Sequence, residues 1–164
     1  MVLRALEVRE ELAASLRRIA EGGLVGGTEG NISARAGELV AISPSGLDYH
    51  TLRAEDVCIV TPDGKLIEGP TPSVELPMHL AVLAARPDVG AVVHTHSPRA
   101  TARPPVPVAV GVSGTQELGA AVLEAAADGN AAVIRGHGPV CFGADLPDAV
   151  ARAFAVEAAA AVVV

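Results

Sequence analysis

The sequence predicts an α/β or α+β fold in which helices interleave with a central sheet, and three observations point there. Segments with helical periodicity or Ala/Leu-rich composition cover residues 3–21, 71–86, 116–127 and 146 to the end. Short runs rich in β-branched residues lie between them at 38–43, 56–61, 89–94 and 131–134. Glycine- and proline-bearing turns separate the two kinds of segment, with no internal repeat and no linker of the kind that divides domains. The expectation is one domain over 1–164.

Taken in order, residues 3–21 place Leu12, Leu16 and Ile19 on one helical face and charges elsewhere, and Gly22-Gly23 stops the helix. Gly26–Arg35 runs from a glycine-rich turn into a short strand. The runs 38–43 and 56–61 and the residues after the Asp63-Gly64 turn read as antiparallel strands. A helix is expected to begin at Thr71 to Ser73 and to end at Arg86, before Pro87. The run 89–94 reads as a buried strand with His94 at its exit. Pro98, Pro104, Pro105 and Pro107 make 97–114 loop or edge structure. A helix at 116–127, a strand at 131–134 and a closing helix from Leu146 complete the chain.

Composition narrows the function. A net charge of −7 without a Lys/Arg cluster argues against a nucleic-acid surface. The N-terminus is charged throughout and lacks the apolar stretch of a signal peptide, and the apolar C-terminal stretch is interrupted by Glu157 and too short for a bilayer. Cys58 and Cys141, far apart and in strand-like segments, read as reduced core residues, so the expectation is a cytoplasmic protein with no membrane partner.

Five histidines occur, at 50, 79, 94, 96 and 137. In a strand, residues i and i+2 share a face, so His94 and His96 would project side by side as two ligands of one metal, or as a polar pair at a strand end. His137 sits between Gly136 and Gly138, in a segment that permits close approach, or a simple turn. Three neutral imidazoles leave a coordination position open, as catalytic zinc requires; Fe2+, Mn2+ or Co2+ also suit such nitrogens. Glu75, near a helix start, fits a general acid/base beside the metal as well as it fits the helix dipole. His79, four residues on, reads as a core histidine or a support to the ligands. The turns Gly27–Asn31 and Ser43–Gly46 offer backbone N–H groups that can form an anion nest, or serve only as turns.

In company these segments say more. Gly27–Ser33 (GTEGNIS), Ser43–Gly46 (SPSG), Pro72–His79 (PSVELPMH), His94–Ser97 (HTHS) and His137-Gly138 occur in this order. The chain thereby resembles, over nearly its whole length, the class II aldolase/adducin family, typified by fuculose-1-phosphate aldolase and ribulose-5-phosphate 4-epimerase. The resemblance implies a three-layer α/β/α sandwich with a mostly antiparallel sheet, assembled as a cyclic homotetramer with sites at subunit interfaces. It implies zinc on His94, His96 and His137, an acid/base at Glu75, and substrate phosphate held by Gly30, Asn31, Ser45, Gly46 and Ser73.

Three departures stand out. Val74 replaces a second phosphate-binding serine, and the segment between His96 and His137 is short. The chain also stops at the closing helix, without the longer tail that supplies a catalytic tyrosine in some members, and Tyr49, its only tyrosine, sits in an unrelated place. The expected function is a metal-dependent lyase cleaving a small ketose phosphate through a metal-stabilised enediolate. A related epimerase, dehydratase or decarboxylase, and a non-catalytic adducin-like scaffold, are the alternatives.

Overall fold

In the computed structural model, which describes residues 3–162, helix α1 (Leu6–Glu21) leads into strands β1 (Asn31–Ala36) and β2 (Leu39–Ile42). After a 3-10 turn come β3 (Cys58–Val60) and β4 (Leu66–Glu68), then α2 (Leu76–Ala85) and β5 (Ala91–His94). The rest comprises α3 (Pro98–Ala102), β6 (Val108–Ala109), α4 (Gln116–Ala126), β7 (Ala131–Ile134), β8 (Gly138–Gly143) and α5 (Leu146–Ala160). The strands form one eight-stranded sheet in the order β4-β3-β2-β1-β5-β8-β7-β6, antiparallel throughout except for β6 on β7.

Strand alternation divides the core into two layers. Ile32, Ile59, Val93 and Cys141 face Leu12, Leu16 and Ile19 of α1 and Ala149 and Ala153 of α5. Their neighbours Cys58, Val60, Val92 and Phe142 face Met78 and Val82 of α2 and Leu118 and Val122 of α4. The result is the expected three-layer α/β/α sandwich. With few aromatic side chains to fill space, the helices approach closely. A Cβ on Gly119 of α4 would lie 2.5 Å from the Ala81 Cβ and 3.1 Å from the Met78 carbonyl of α2. Cys58 and Cys141 are free and buried.

One expectation needs correction and another holds in part. Helix α2 begins at Leu76 rather than at 71–73, because that stretch is held extended: Pro72 bridges Pro44, the Ser45 N–H donates to the Thr71 carbonyl at 2.9 Å, and the Ser73 N–H donates to the Ser43 carbonyl at 3.0 Å. The segment 97–114 carries structure of its own, with Pro98 in the first turn of α3, where its missing N–H costs nothing, and β6 as an edge strand. Strand β8 was not expected at all, since Gly-Pro opens it, yet it pairs with both β5 and β7. The last two residues expected in the closing helix lie outside the described ones.

Candidate active site

The site forms where β1 and β5 meet α2. His94 is the last residue of β5, paired with Asn31 on one side and Val140 on the other. His96 is therefore beyond the strand, not on it, and its N–H is bound to the Leu24 carbonyl at 3.1 Å. The chain nevertheless brings the two rings to 5.1 Å between centroids. His137 stands in the turn from β7 to β8, 4.6 Å from each of the other two rings. Gly138 makes this possible: its φ is +151°, and a Cβ there would collide with the Thr95 carbonyl.

One nitrogen from each of the three histidines lies within 4.8 Å of the others. The His94 Nδ1–H donates to the Pro139 carbonyl at 3.0 Å, so Nε2 carries the lone pair. Burial pulls the His94 imidazole down to about 4, which keeps it neutral. Its Nε2 faces Glu75 Oε2 at 3.2 Å and His137 Nε2 at 3.3 Å. A carboxylate oxygen against a bare imidazole nitrogen is a convergence of acceptors, and a divalent cation satisfies it; these residues can hold a metal.

Glu75 sits at the N-cap position of α2 and is buried. Its Oε2 accepts from Asn31 Nδ2 at 2.9 Å. Asn31 Oδ1 is then an acceptor, 2.6 Å from His79 Nε2, so that nitrogen must carry the proton. His79 Nδ1 is left to accept from the Ser33 hydroxyl at 2.7 Å. Every member of this chain, Ser33–His79–Asn31–Glu75, thus has a fixed direction. Burial holds His79 neutral, at about 3. Burial would raise the Glu75 carboxyl, but His94, the Asn31 amide, His137 and His79 outweigh it and hold it below the usual range.

A cavity of about 210 Å³ opens beside this wall. Gly30, Asn31, Ser45, Gly46 and Ser73, the residues expected to hold phosphate, all line it together with Glu75, His96 and His137. Among the described residues lining it there is no lysine or arginine. Tyr49 is not in an unrelated place: it lines the same cavity, and its hydroxyl donates to the Gly30 carbonyl. Burial pushes its phenol up to about 12, so it stays neutral and acts here as a strut for the Gly30 turn.

Ser113 is the residue that sequence reasoning missed. Its hydroxyl lies 3.1 Å from both Glu75 Oε1 and His137 Nδ1. The only local signal, Ser-Gly-Thr before a helix, reads as a turn and a cap.

The family described as Class II Aldolase and Adducin N-terminal domain matches residues 10–104 and 103–164. A 5-deoxy-D-ribulose 1-phosphate aldolase of Bacillus thuringiensis serovar kurstaki is 52% identical over 95 residues, 56% of this chain and 45% of that protein. The match thus spans less than half of that relative's length. A 5-methylthioribulose-1-phosphate/5-deoxyribulose-1-phosphate aldolase of Rhodospirillum rubrum is 34% identical over 93% of this chain and 78% of its own length. The solved structure of an L-fuculose 1-phosphate aldolase superposes with a TM-score of 0.89 at 30% identity, covering 95% of this chain and 84% of that one.

Proposed function

The chain belongs to the class II aldolase and adducin family, and from that premise we propose that it is a metal-dependent carbon–carbon lyase acting on a small ketose phosphate as one domain over 1–164. The observation that carries this reading is the meeting of three imidazoles and Glu75 at the end of a cavity lined by Ser45, Gly46 and Ser73. His94, His96 and His137 would hold the ion, zinc by the donor set, with Fe2+, Mn2+ or Co2+ as the other ions that fit. When bound, it supplies Lewis-acid stabilisation of the negative charge that develops on the substrate's oxygens.

The protein's own groups do the rest. Backbone N–H groups around Gly30 and Gly46, the hydroxyls of Ser45 and Ser73 and the Asn31 amide would receive the phosphate, without a lysine or arginine from the lining residues. The bond between C3 and C4 of a ketose 1-phosphate breaks as the C4 hydroxyl loses its proton, an aldehyde leaves, and the remaining enediolate takes a proton at C3. Glu75, ionised and held by Asn31, would move that proton. The names of the two relatives make 5-deoxyribulose 1-phosphate the substrate to try first.

Among the described residues no helix is long and apolar enough to cross a membrane. The reading includes a cytoplasmic location, in keeping with two free cysteines, and a homotetramer, which light scattering would test. The decisive test is metal content. About one zinc per chain, absent from a His94→Ala/His96→Ala variant, together with aldehyde release from ketose 1-phosphates, is the expected result. Protein that takes up no metal after reconstitution, or that releases no aldehyde when loaded, overturns the proposal.

A further inference from the structure

We propose that Ser113 is a positioning residue of this centre, whose hydroxyl fixes the His137 tautomer and holds the second oxygen of Glu75. Its bearing on metal affinity rests on the metal-dependent function proposed above; its bearing on the tautomer does not.

The assignment follows from counting hydrogens. A hydroxyl has one, and a carboxylate only accepts, so the Ser113 hydrogen goes to Glu75 Oε1. His137 Nδ1, 3.1 Å from the Ser113 Oγ, must then donate to it. That leaves the lone pair on His137 Nε2, the atom that faces His94 Nε2 at 3.3 Å. His94 is set in the same way by a main-chain oxygen, the Pro139 carbonyl. An oxygen partner on the far nitrogen is what orients a ligating imidazole and raises its basicity. Glu75 is meanwhile held from both sides, by Asn31 on Oε2 and by Ser113 on Oε1.

The loop is built to keep Ser113 there. Thr115 donates its hydroxyl to the Val112 carbonyl at 2.6 Å and accepts from the Leu118 N–H at 3.2 Å, closing the turn and capping α4. Gly114 takes a φ of +77° between them. Four residues past the cap, Gly119 seats α4 directly on α2, whose N-terminus carries Glu75. The two helix starts that bear Ser113 and Glu75 are thereby fixed to each other. Ser113 itself is exposed as a residue, so deleting its hydroxyl opens no hole in the core.

The test compares wild type, Ser113→Ala and Ser113→Thr. In metal-free protein labelled with 15N-histidine, long-range 1H–15N spectra report which nitrogen of each ring holds the proton. Wild type and Ser113→Thr should show His137 protonated at Nδ1, and Ser113→Ala should shift it towards Nε2. His94, held by Pro139, should be unchanged in all three. Zinc affinity in Ser113→Ala should fall by about 10–100-fold and recover in Ser113→Thr. An unchanged His137 tautomer and unchanged zinc affinity in Ser113→Ala overturn the proposal. A wild type that binds none of Zn2+, Fe2+, Mn2+ and Co2+ overturns the metal-dependent function instead, and the tautomer comparison still decides the role of Ser113.

Discussion

On the inner side of the site Ser33, His79 and His94 are shut off from solvent, whereas on the outer side the His96 and His137 side chains remain 25% exposed and Val74 and Val112 exceed 70%. The inner wall hangs on the β1–β5 pair and on α2, and its side-chain polar atoms, His94 Nε2 apart, are committed to named partners. The outer wall is made of turns, around Ser113 and His137. A low-dielectric wall held by such a hydrogen-bond network keeps its groups in one arrangement, and breaking it exposes an unsatisfied neighbour. Turn-borne groups can be altered without that penalty. The inner wall should therefore govern both stability and proton transfer, and the outer wall binding alone.

The largest effect is expected at Glu75. Glu75→Gln keeps the shape and the buried position but removes the proposed base, so kcat for aldehyde release should drop by about 10²–10⁴-fold with the fold intact. A variant that keeps wild-type turnover would remove the proton-transfer role from the inner wall. Next in size is the contrast between two histidines. His94→Ala leaves the Pro139 carbonyl without its side-chain donor and opens a hole, at a cost of about 2 kcal/mol in metal-free protein. His137→Ala should stay within about 0.5 kcal/mol, although both should lose the proposed metal. Chemical denaturation of the two variants decides the matter, and equal losses would erase the difference between the walls.

Much of this was legible in the sequence, and the limits have physical causes. Helices α1, α4 and α5 and strands β1, β5 and β7 follow from local periodicity and from glycine or proline at their ends. The start of α2 did not, because Thr71–Ser73 are held extended by pairing with the turn at 43–45, a contact about 28 residues distant in the chain. β8 was hidden because Gly138-Pro139 reads as a turn, while a strand flanked on both sides accepts it: the Pro139 carbonyl takes the Thr95 N–H and the His94 ring. The three histidines and Glu75 were visible as residue types at telling positions. The partners that orient them, Ser113, Asn31 paired to His79, and the Tyr49 strut, were not, since nothing local marks a hydroxyl or amide that finds its acceptor across the fold.

Acid should expose the inner wall. Burial holds His79 and His94 at about 3 and about 4, with His96 moved the same way, against about 6.5 in the unfolded chain. Below pH 6.5 the unfolded chain takes up protons that the folded chain refuses. The stability present in full above pH 6.5 is therefore lost as pH falls towards 4. With chelator present, the melting temperature should decline steadily from pH 7 to 4.5. His79→Gln, which can still donate to Asn31, should flatten that decline. A flat wild-type profile would mean that His79 and His94 are not held neutral.

The smallest effect is expected at the rim. Val112 is 73% exposed, so most of its side-chain area is already in water and contributes little burial energy to lose. Val112→Ser should leave stability within about 0.5 kcal/mol of wild type at any protein concentration. A larger loss that grows on dilution would show that a second copy covers the rim in solution. The outer wall would then be a subunit interface, tied to stability through assembly rather than through the folding of one chain, and the contrast with the inner wall would hold only for the isolated protomer.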